Sequence, residues 1–143
     1  MKQENGYTIT IPVRWDDIDG NGHLANSKYL DYATQARFQF LSDHGVVIAP
    51  GSTETYGPVV LSDLVEYRRE MRFGGIATVT LELLAARRDA SRWQFAQNIL
   101  QGSTVAARIT SSGGGASMSF VKAPLSGLVW FGVLGLCGEL DVL

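Results

Sequence analysis

Asp17, Asp19, Asn21, His23 and Asn26 stand within ten residues of one another in the run Trp15 to Asn26, WDDIDGNGHLAN. Carboxylates, carboxamides and an imidazole at this density suit three kinds of work: binding a hard cation, moving protons at a carbonyl centre, or closing a turn through side-chain bonds to the backbone. The spacing counts against the cation. Asp17, Asp19 and Asn21 alternate like the first ligands of a calcium loop and Gly22 falls at its sixth position, but the twelfth is Lys28 where a bidentate glutamate is required. Nor does a helical pattern precede the loop. His23 has no histidine partner in its neighbourhood, so a transition-metal site is not expected either, and no metal is assigned.

Proton chemistry has a sharper rationale. A carboxylate at a strand end, next to a helix start, sits beside backbone N–H groups that lack intrahelical partners and are suited to a carbonyl oxygen or an oxyanion. Acyl transfer needs both features. His23 would orient substrate or share proton movement, and Asn21 or Asn26 would hold a water or a carboxylate. A purely structural turn stays open beside this, because Asp, Asn and Gly favour turns and helix N-termini on their own account.

The flanking segments supply the elements that must position these groups. Tyr7 to Trp15, YTITIPVRW, has the two-residue period of a half-buried strand, with Pro12 favouring an edge or a bulge. From Asn26 the period becomes helical. Tyr29, Ala33, Ala36 and Phe40 make one stripe and Leu30, Ala33, Arg37 and Leu41 another; Gly45 is a natural terminator, with His44 beside the helix's last carbonyls. Residues 46–58 read as a connector. Four runs of strand character follow, at about 59–69, 76–87, 91–100 and 105–120, the last interrupted by Gly113, Gly114 and Gly115. Their separators, Gly74-Gly75, Arg88-Asp89-Ala90 and Gln101-Gly102, are short enough for hairpins. The fold class is therefore α+β: one long helix wrapped by a curved antiparallel sheet, whose outer face something else must cover. Ala33 and Ala36 allow close approach of helix to sheet. Unpaired sheet edges and an apolar tail favour a homo-oligomer, a homodimer or homotetramer.

At 143 residues the chain has the size of one domain, and a formal charge of -2 with both signs interspersed offers nothing to a phosphate backbone, so no nucleic-acid partner is expected. The lone Cys137 excludes an intrachain disulfide and every cysteine-rich zinc pattern. The first residues lack the pattern of a secretory signal, and the apolar stretch Leu125–Leu143 is broken by glycines, Glu139 and Asp141 before it can make a membrane span. A cytoplasmic location is expected, with the tail packed against the domain or a subunit partner.

The stretch Val13 to Leu41, VRWDDIDGNGHLANSKYLDYATQARFQFL, combines a D-x-D-x-x-G-H segment with N-x-x-Y-L-x-Y and an A-R pair. It resembles the opening strand, active-site loop and central helix of the hotdog-fold acyl-thioester thioesterases, the 4-hydroxybenzoyl-CoA thioesterase superfamily; residues 59 to 120 match only in general pattern. The resemblance implies a single hotdog domain over residues 1–143, subunits that pair to continue the sheet, and hydrolysis of an acyl-CoA or acyl-carrier-protein thioester without a cofactor. It implies that Asp19 is the catalytic aspartate, acting as base or nucleophile, and Asp17 a supporting one. The string Asp19, Asn21, His23 also resembles the D-x-N-x-H site of plant acyl-carrier-protein thioesterases, and Asn26 stands where related enzymes carry Asn, His or Tyr. Backbone N–H groups at the helix start would polarise the thioester carbonyl.

Two departures matter. Another branch of the family uses a helix glutamate, but this helix offers Thr34 and Gln35, which puts the load on Asp19; Glu54 and Asp63 are candidate supports that the sequence does not place beside it. The Gly-rich, apolar sequence after Pro124 also differs from the family's usual polar end. Arg68, Arg69 and Arg72 are the nearest positive cluster and are candidates for the phosphates of coenzyme A or the acidic surface of a carrier protein, against the alternative of a solvated strand edge. Two rivals to hydrolysis are a hotdog hydroxyacyl-thioester dehydratase and a non-catalytic acyl-thioester-binding protein.

Overall fold

Threonines alternate with isoleucines in β1 (Tyr7–Pro12), and the computed structural model, which describes residues 6–44, 57–87 and 92–116, turns that alternation into exposed and half-buried faces. β1 pairs antiparallel with β3 (Ile76–Ala86), from Tyr7 opposite Leu81 to Pro12 opposite Ile76. Pro12 has no amide proton to offer a ladder, and β1 is indeed an edge of the sheet. The strand stops there and does not reach Trp15. β3 begins at Ile76, so only Val13 finds a further partner, the Gly75 carbonyl at 3.0 Å. Trp15 instead opens a 3-10 turn, Trp15–Asp17, and is exposed.

Helix α1 (Asn26–Asp43) buries Tyr29, Tyr32, Ala33, Ala36, Phe40 and Leu41 against the sheet. The first expected stripe is fully buried; in the second, Leu30 and Arg37 are half-buried. His44 ends the helix by donating its backbone N–H to Phe40 O at 3.1 Å, and its ring Nδ1 lies 2.8 Å from the same oxygen. Gly45, residues 46–56 of the expected connector, the expected separator Arg88-Asp89-Ala90 and the tail Leu125–Leu143 lie outside the described residues; Gly57 and Pro58, expected to close the connector, instead open a strand.

β2 (Gly57–Tyr67), β4 (Trp93–Gln101) and β5 (Thr104–Ala116) complete a five-stranded sheet in the order β1-β3-β4-β5-β2, antiparallel throughout. The glycine run does not interrupt β5. Gly113 pairs with Trp93 on one side and Val60 on the other, and a Cβ there would run into the Trp93 indole and the Val59 carbonyl oxygen. Absence of a side chain is thus what lets the strand continue past a large buried ring.

Two apolar clusters lie between helix and sheet. One, around Tyr29, Tyr32, Ala33, Ala36, Met71, Val79, Ile99 and Ile109, underlies the helix N-terminus; the other, around Phe40, Leu81, Leu83 and Trp93, underlies its C-terminal half. A polar group divides them. Arg37 of α1 donates to Ser111 Oγ at 2.9 Å, Gln97 Oε1 at 3.4 Å and Thr34 Oγ1 at 2.9 Å, while Ser111 donates to Asp63 on β2. Gln97 also donates to Ala33 O at 2.9 Å. The sheet's other face is polar, with Asn98 N–H bonded to Thr80 Oγ1, Arg108 to Asn98 Oδ1 and Gln94 to Ser112 Oγ. Those rows are suited to water, but Leu64 and Ile76 also project from that face, 61% and 59% exposed.

Candidate active site

The segment between β1 and α1 is built as a small closed loop. Ile18 and Leu24 form an isolated bridge, and within it Asp19 N–H donates to His23 O at 2.8 Å and Gly22 N–H to Asp19 O at 3.0 Å. The Asp19 carboxylate takes part: its Oδ1 accepts the backbone N–H groups of Asn21 at 2.8 Å and His23 at 3.3 Å. Gly22 supplies the left-handed residue at φ 77° that this tight return needs. Asp19 and Asn21 are exposed and His23 is half-buried. The loop therefore presents its carboxylate to solvent in a fixed orientation.

Asp17, two residues earlier, has a different situation. It is 3% exposed, and Tyr32 donates to its Oδ2 at 2.9 Å, Arg14 Nη2 to its Oδ1 at 3.3 Å, and Lys28 Nζ lies 3.6 Å away. The Arg14 bond, with help from Tyr32 and Lys28, holds its carboxyl below the usual range despite burial. Asp17 and Asp19 thus point to different partners. Among the described residues no three His, Cys, Asp or Glu side chains gather in a way that would hold a metal ion.

Leu24 N–H donates to Met71 O at 2.8 Å and Ala25 N–H to Asp17 O at 2.9 Å, which brings the loop's exit directly onto the start of α1. Ala25 is the N-cap and makes no side-chain bond; Lys28 N–H donates to Ala25 O at 2.9 Å, and no side chain among the described residues caps the N–H groups of Asn26 and Ser27. Asn26 is the first helical residue, exposed, and its carbonyl accepts Tyr67 Oη–H at 2.9 Å. Asp19, Asn21, His23 and Asn26 consequently share one end of the molecule, around the positive end of α1's dipole.

The positive cluster arrives at the same end by a long-range route. The segment after β2 folds back so that Arg68 and Arg69 donate their N–H groups to Ala106 O, at 2.7 and 3.0 Å, while Met71 O meets Leu24. Arg68, Arg69 and Arg72 are all exposed, and Arg72 pairs with Glu70 at 3.7 Å. Asp63 does not reach this end. It is engaged with Ser111 and Arg37, eleven residues into the helix and so about 16 Å from its start. Glu54 lies outside the described residues.

Two further residues belong to this end: Glu70, which the sequence does not single out, and Tyr29, which it offers as packing or as the lining of an acyl tunnel. Glu70 has its carboxyl held below the usual range by its own backbone N–H and by His23, and Tyr29 has its phenol pushed up by burial, with Tyr67, Glu70 and Asp19 adding to the effect. Glu70 is brought in by the Met71–Leu24 contact, which no local pattern announces.

The family model described as the Thioesterase-like superfamily matches residues 13–119. No curated protein matches. A 1,4-dihydroxy-2-naphthoyl-CoA thioesterase from Synechocystis superposes with TM-score 0.78 at 18% identity, covering 90% of this chain and 95% of that one. A protein from Pseudomonas aeruginosa superposes with TM-score 0.80 at 19% identity over 94% of this chain and 93% of its own. One from Thermus thermophilus gives 0.79 at 19% identity, over 94% and 99%. At these identities the superpositions establish a shared fold, the hotdog.

Proposed function

The chain belongs to the thioesterase-like superfamily, and from that footing we propose that it hydrolyses an acyl-CoA or acyl-carrier-protein thioester to the free acid and thiol. One observation carries the reading: the exposed Asp19 carboxylate is oriented by two backbone N–H groups, in a loop that leads directly into a helix N-terminus that no side chain among the described residues caps. The thioester carbonyl oxygen is polarised by the first-turn N–H groups of α1. Asp19 takes a proton from water, whose oxygen attacks the carbonyl carbon, or attacks that carbon itself to give an anhydride that water then opens. In either case the C–S bond breaks, the thiolate leaves, and it is protonated. Asn21 and Asn26 hold water and substrate, and His23 shares in proton movement.

Arg68, Arg69 and Arg72, on the segment packed against the loop, receive the phosphates of coenzyme A or the acidic surface of a carrier protein. The active form is a homo-oligomer joined along β2. That edge strand exposes Val59, Val60, Leu61, Leu64 and Tyr67, which is more apolar surface than a solvated edge tolerates.

The test is thiol release from short, medium, long-chain and aromatic acyl-CoAs, with the Asp19→Asn protein alongside. The wild type should release thiol from part of the panel, and the variant should be slower by roughly 100-fold or more. An Asp19→Asn protein that folds normally and keeps wild-type rates sinks the assignment. Release of water from a hydroxyacyl thioester without thiol would point to a dehydratase, and tight binding without turnover to a carrier.

A further inference from the structure

Asp17 is the one carboxylate among the described residues that is buried, and a buried carboxylate is tolerated only when its oxygens are met. Its partners come from three separate places: Arg14 at the exit of β1, Lys28 and Tyr32 on the first two turns of α1, and the N–H of Ala25, bonded to its main-chain carbonyl. They are not equivalent. Arg14's side chain is 63% exposed and Lys28's 33%, so water screens and competes for both. Tyr32 is buried, its hydroxyl meets Asp17 Oδ2 at 2.9 Å, and its ring is packed in the apolar cluster under the helix N-terminus. A donor fixed in this way sets a position; a donor on a flexible exposed stem follows one.

Everything between the Ile18–Leu24 bridge hangs from this point. We propose that Tyr32 and Asp17 form a latch that fixes the Asp19 carboxylate relative to the N-terminus of α1, making Tyr32 a positioning residue of the reaction. The latch itself is a statement about the loop; its catalytic consequence rests on the hydrolytic reading above. Without the hydroxyl, Asp17 keeps only screened cations as side-chain partners; Leu24 and Ile18 still pack in the cluster under the helix, but non-directional apolar contact does not fix an orientation, and the carboxylate wanders from the carbonyl it serves.

The molecule carries its own control. At the opposite end of α1, Tyr7 of β1 donates to Asp43, the same pair of groups remote from the Asp19 loop. Tyr32→Phe and Tyr7→Phe each delete one oxygen and keep the ring. In Tyr32→Phe the amides of Asn21, His23 and Leu24 should exchange with solvent at least about 10-fold faster. Its kcat should fall roughly 10- to 100-fold, with KM within about threefold of wild type, the range expected for a misplaced catalytic group. Tyr7→Phe should change neither. Asp17→Ala removes both acceptor oxygens, cuts the latch from its other side and should move both readouts as Tyr32→Phe does. Wild-type exchange and kcat in both latch variants would overturn the proposal, as would an equal loss of kcat in Tyr7→Phe. If the wild type hydrolyses no thioester, the functional reading falls, and the exchange rates alone then decide the latch: faster supports it, unchanged refutes it.

Discussion

Replacing Arg37 by methionine tests whether the polar group between the two apolar clusters holds the helix to the sheet. Methionine keeps the length and apolar stem, so the change removes the guanidinium with little loss of volume. Three acceptors lose their donor: Ser111 Oγ, fully buried; Gln97 Oε1, on a residue 1% exposed; and Thr34 Oγ1. Asp63 loses a charge partner at 3.8 Å but keeps the Ser111 hydroxyl and is a quarter exposed. Breaking a fully buried ion pair costs about 3–5 kcal/mol, and partial exposure of Asp63 lowers that. A buried acceptor left without a donor costs about 1–3 kcal/mol. Ser111 keeps Asp63 as a partner, so one such penalty, on Gln97, is counted; with the ion-pair cost discounted to about 1–2 kcal/mol for the 3.8 Å separation and the exposure of Asp63, the sum is about 2–5 kcal/mol. For a domain of this size each kcal/mol corresponds to about 3 °C, giving a melting point lower by roughly 6–15 °C. Calorimetry and urea unfolding should agree, and Asp63→Leu in the Arg37→Met background should recover part of the loss, because the stranded carboxylate is gone. An Arg37→Met protein melting within about 2 °C of wild type would refute the reasoning.

Other perturbations follow from the same geometry. Gly113→Ala forces a Cβ against the Trp93 ring and the Val59 carbonyl, and urea unfolding should show a loss of about 1–3 kcal/mol, whereas Gly20→Ala, with no atom within 4 Å of the new carbon, should lose well under half of that. Leu64→Lys places charge on the apolar β2 edge and, on the proposed pairing along β2, should yield a folded monomer by light scattering beside a wild type of at least twice its mass; an unchanged mass would remove β2 from the interface. Asp17 titrates below its ordinary range when folded, through Arg14 first, so its stabilising effect is present above about pH 4 and is lost as pH falls through the folded value. The stability gap between wild type and Asp17→Asn should therefore narrow in acid. Burial first, then the Asp43 and Asp17 bonds, push the phenols of Tyr7 and Tyr32 up to about 12. Their contribution is intact below about pH 10 and declines from there to 12, which a base titration of unfolding would register.

What the sequence made legible was whatever depends on short-range period and turn chemistry. Tyr29, Ala33, Ala36 and Phe40 announced the buried helix face because their spacing matches a helix turn, and each is buried. The turn around Asp19 was legible because the bonds of that residue's carboxylate join residues at most four apart. What stayed hidden depends on contacts across the chain. Residues 113–115 read as a break because glycine disfavours strands in isolation, and only the register with Trp93 shows why they continue one. Asp63 reads as a free carboxylate until β2 pairs with β5 and brings Ser111 beside it. Glu70 reaches the loop through a backbone bond from Leu24 to Met71, between segments nearly fifty residues apart. Tyr32 and Asp17 lie within the legible region, yet nothing in their spacing says that one hydroxyl points at one carboxylate.

The two edges of the sheet differ, and the difference limits growth. β2 offers a long row of backbone groups flanked by exposed valine and leucine. β1 is six residues long, turns threonines to solvent and ends in a proline that cannot donate. A sheet with one adhesive and one blunt side has a terminus built in. Two copies that meet along β2 consume the adhesive side of both, and the ribbon stops at ten strands instead of propagating into a fibre.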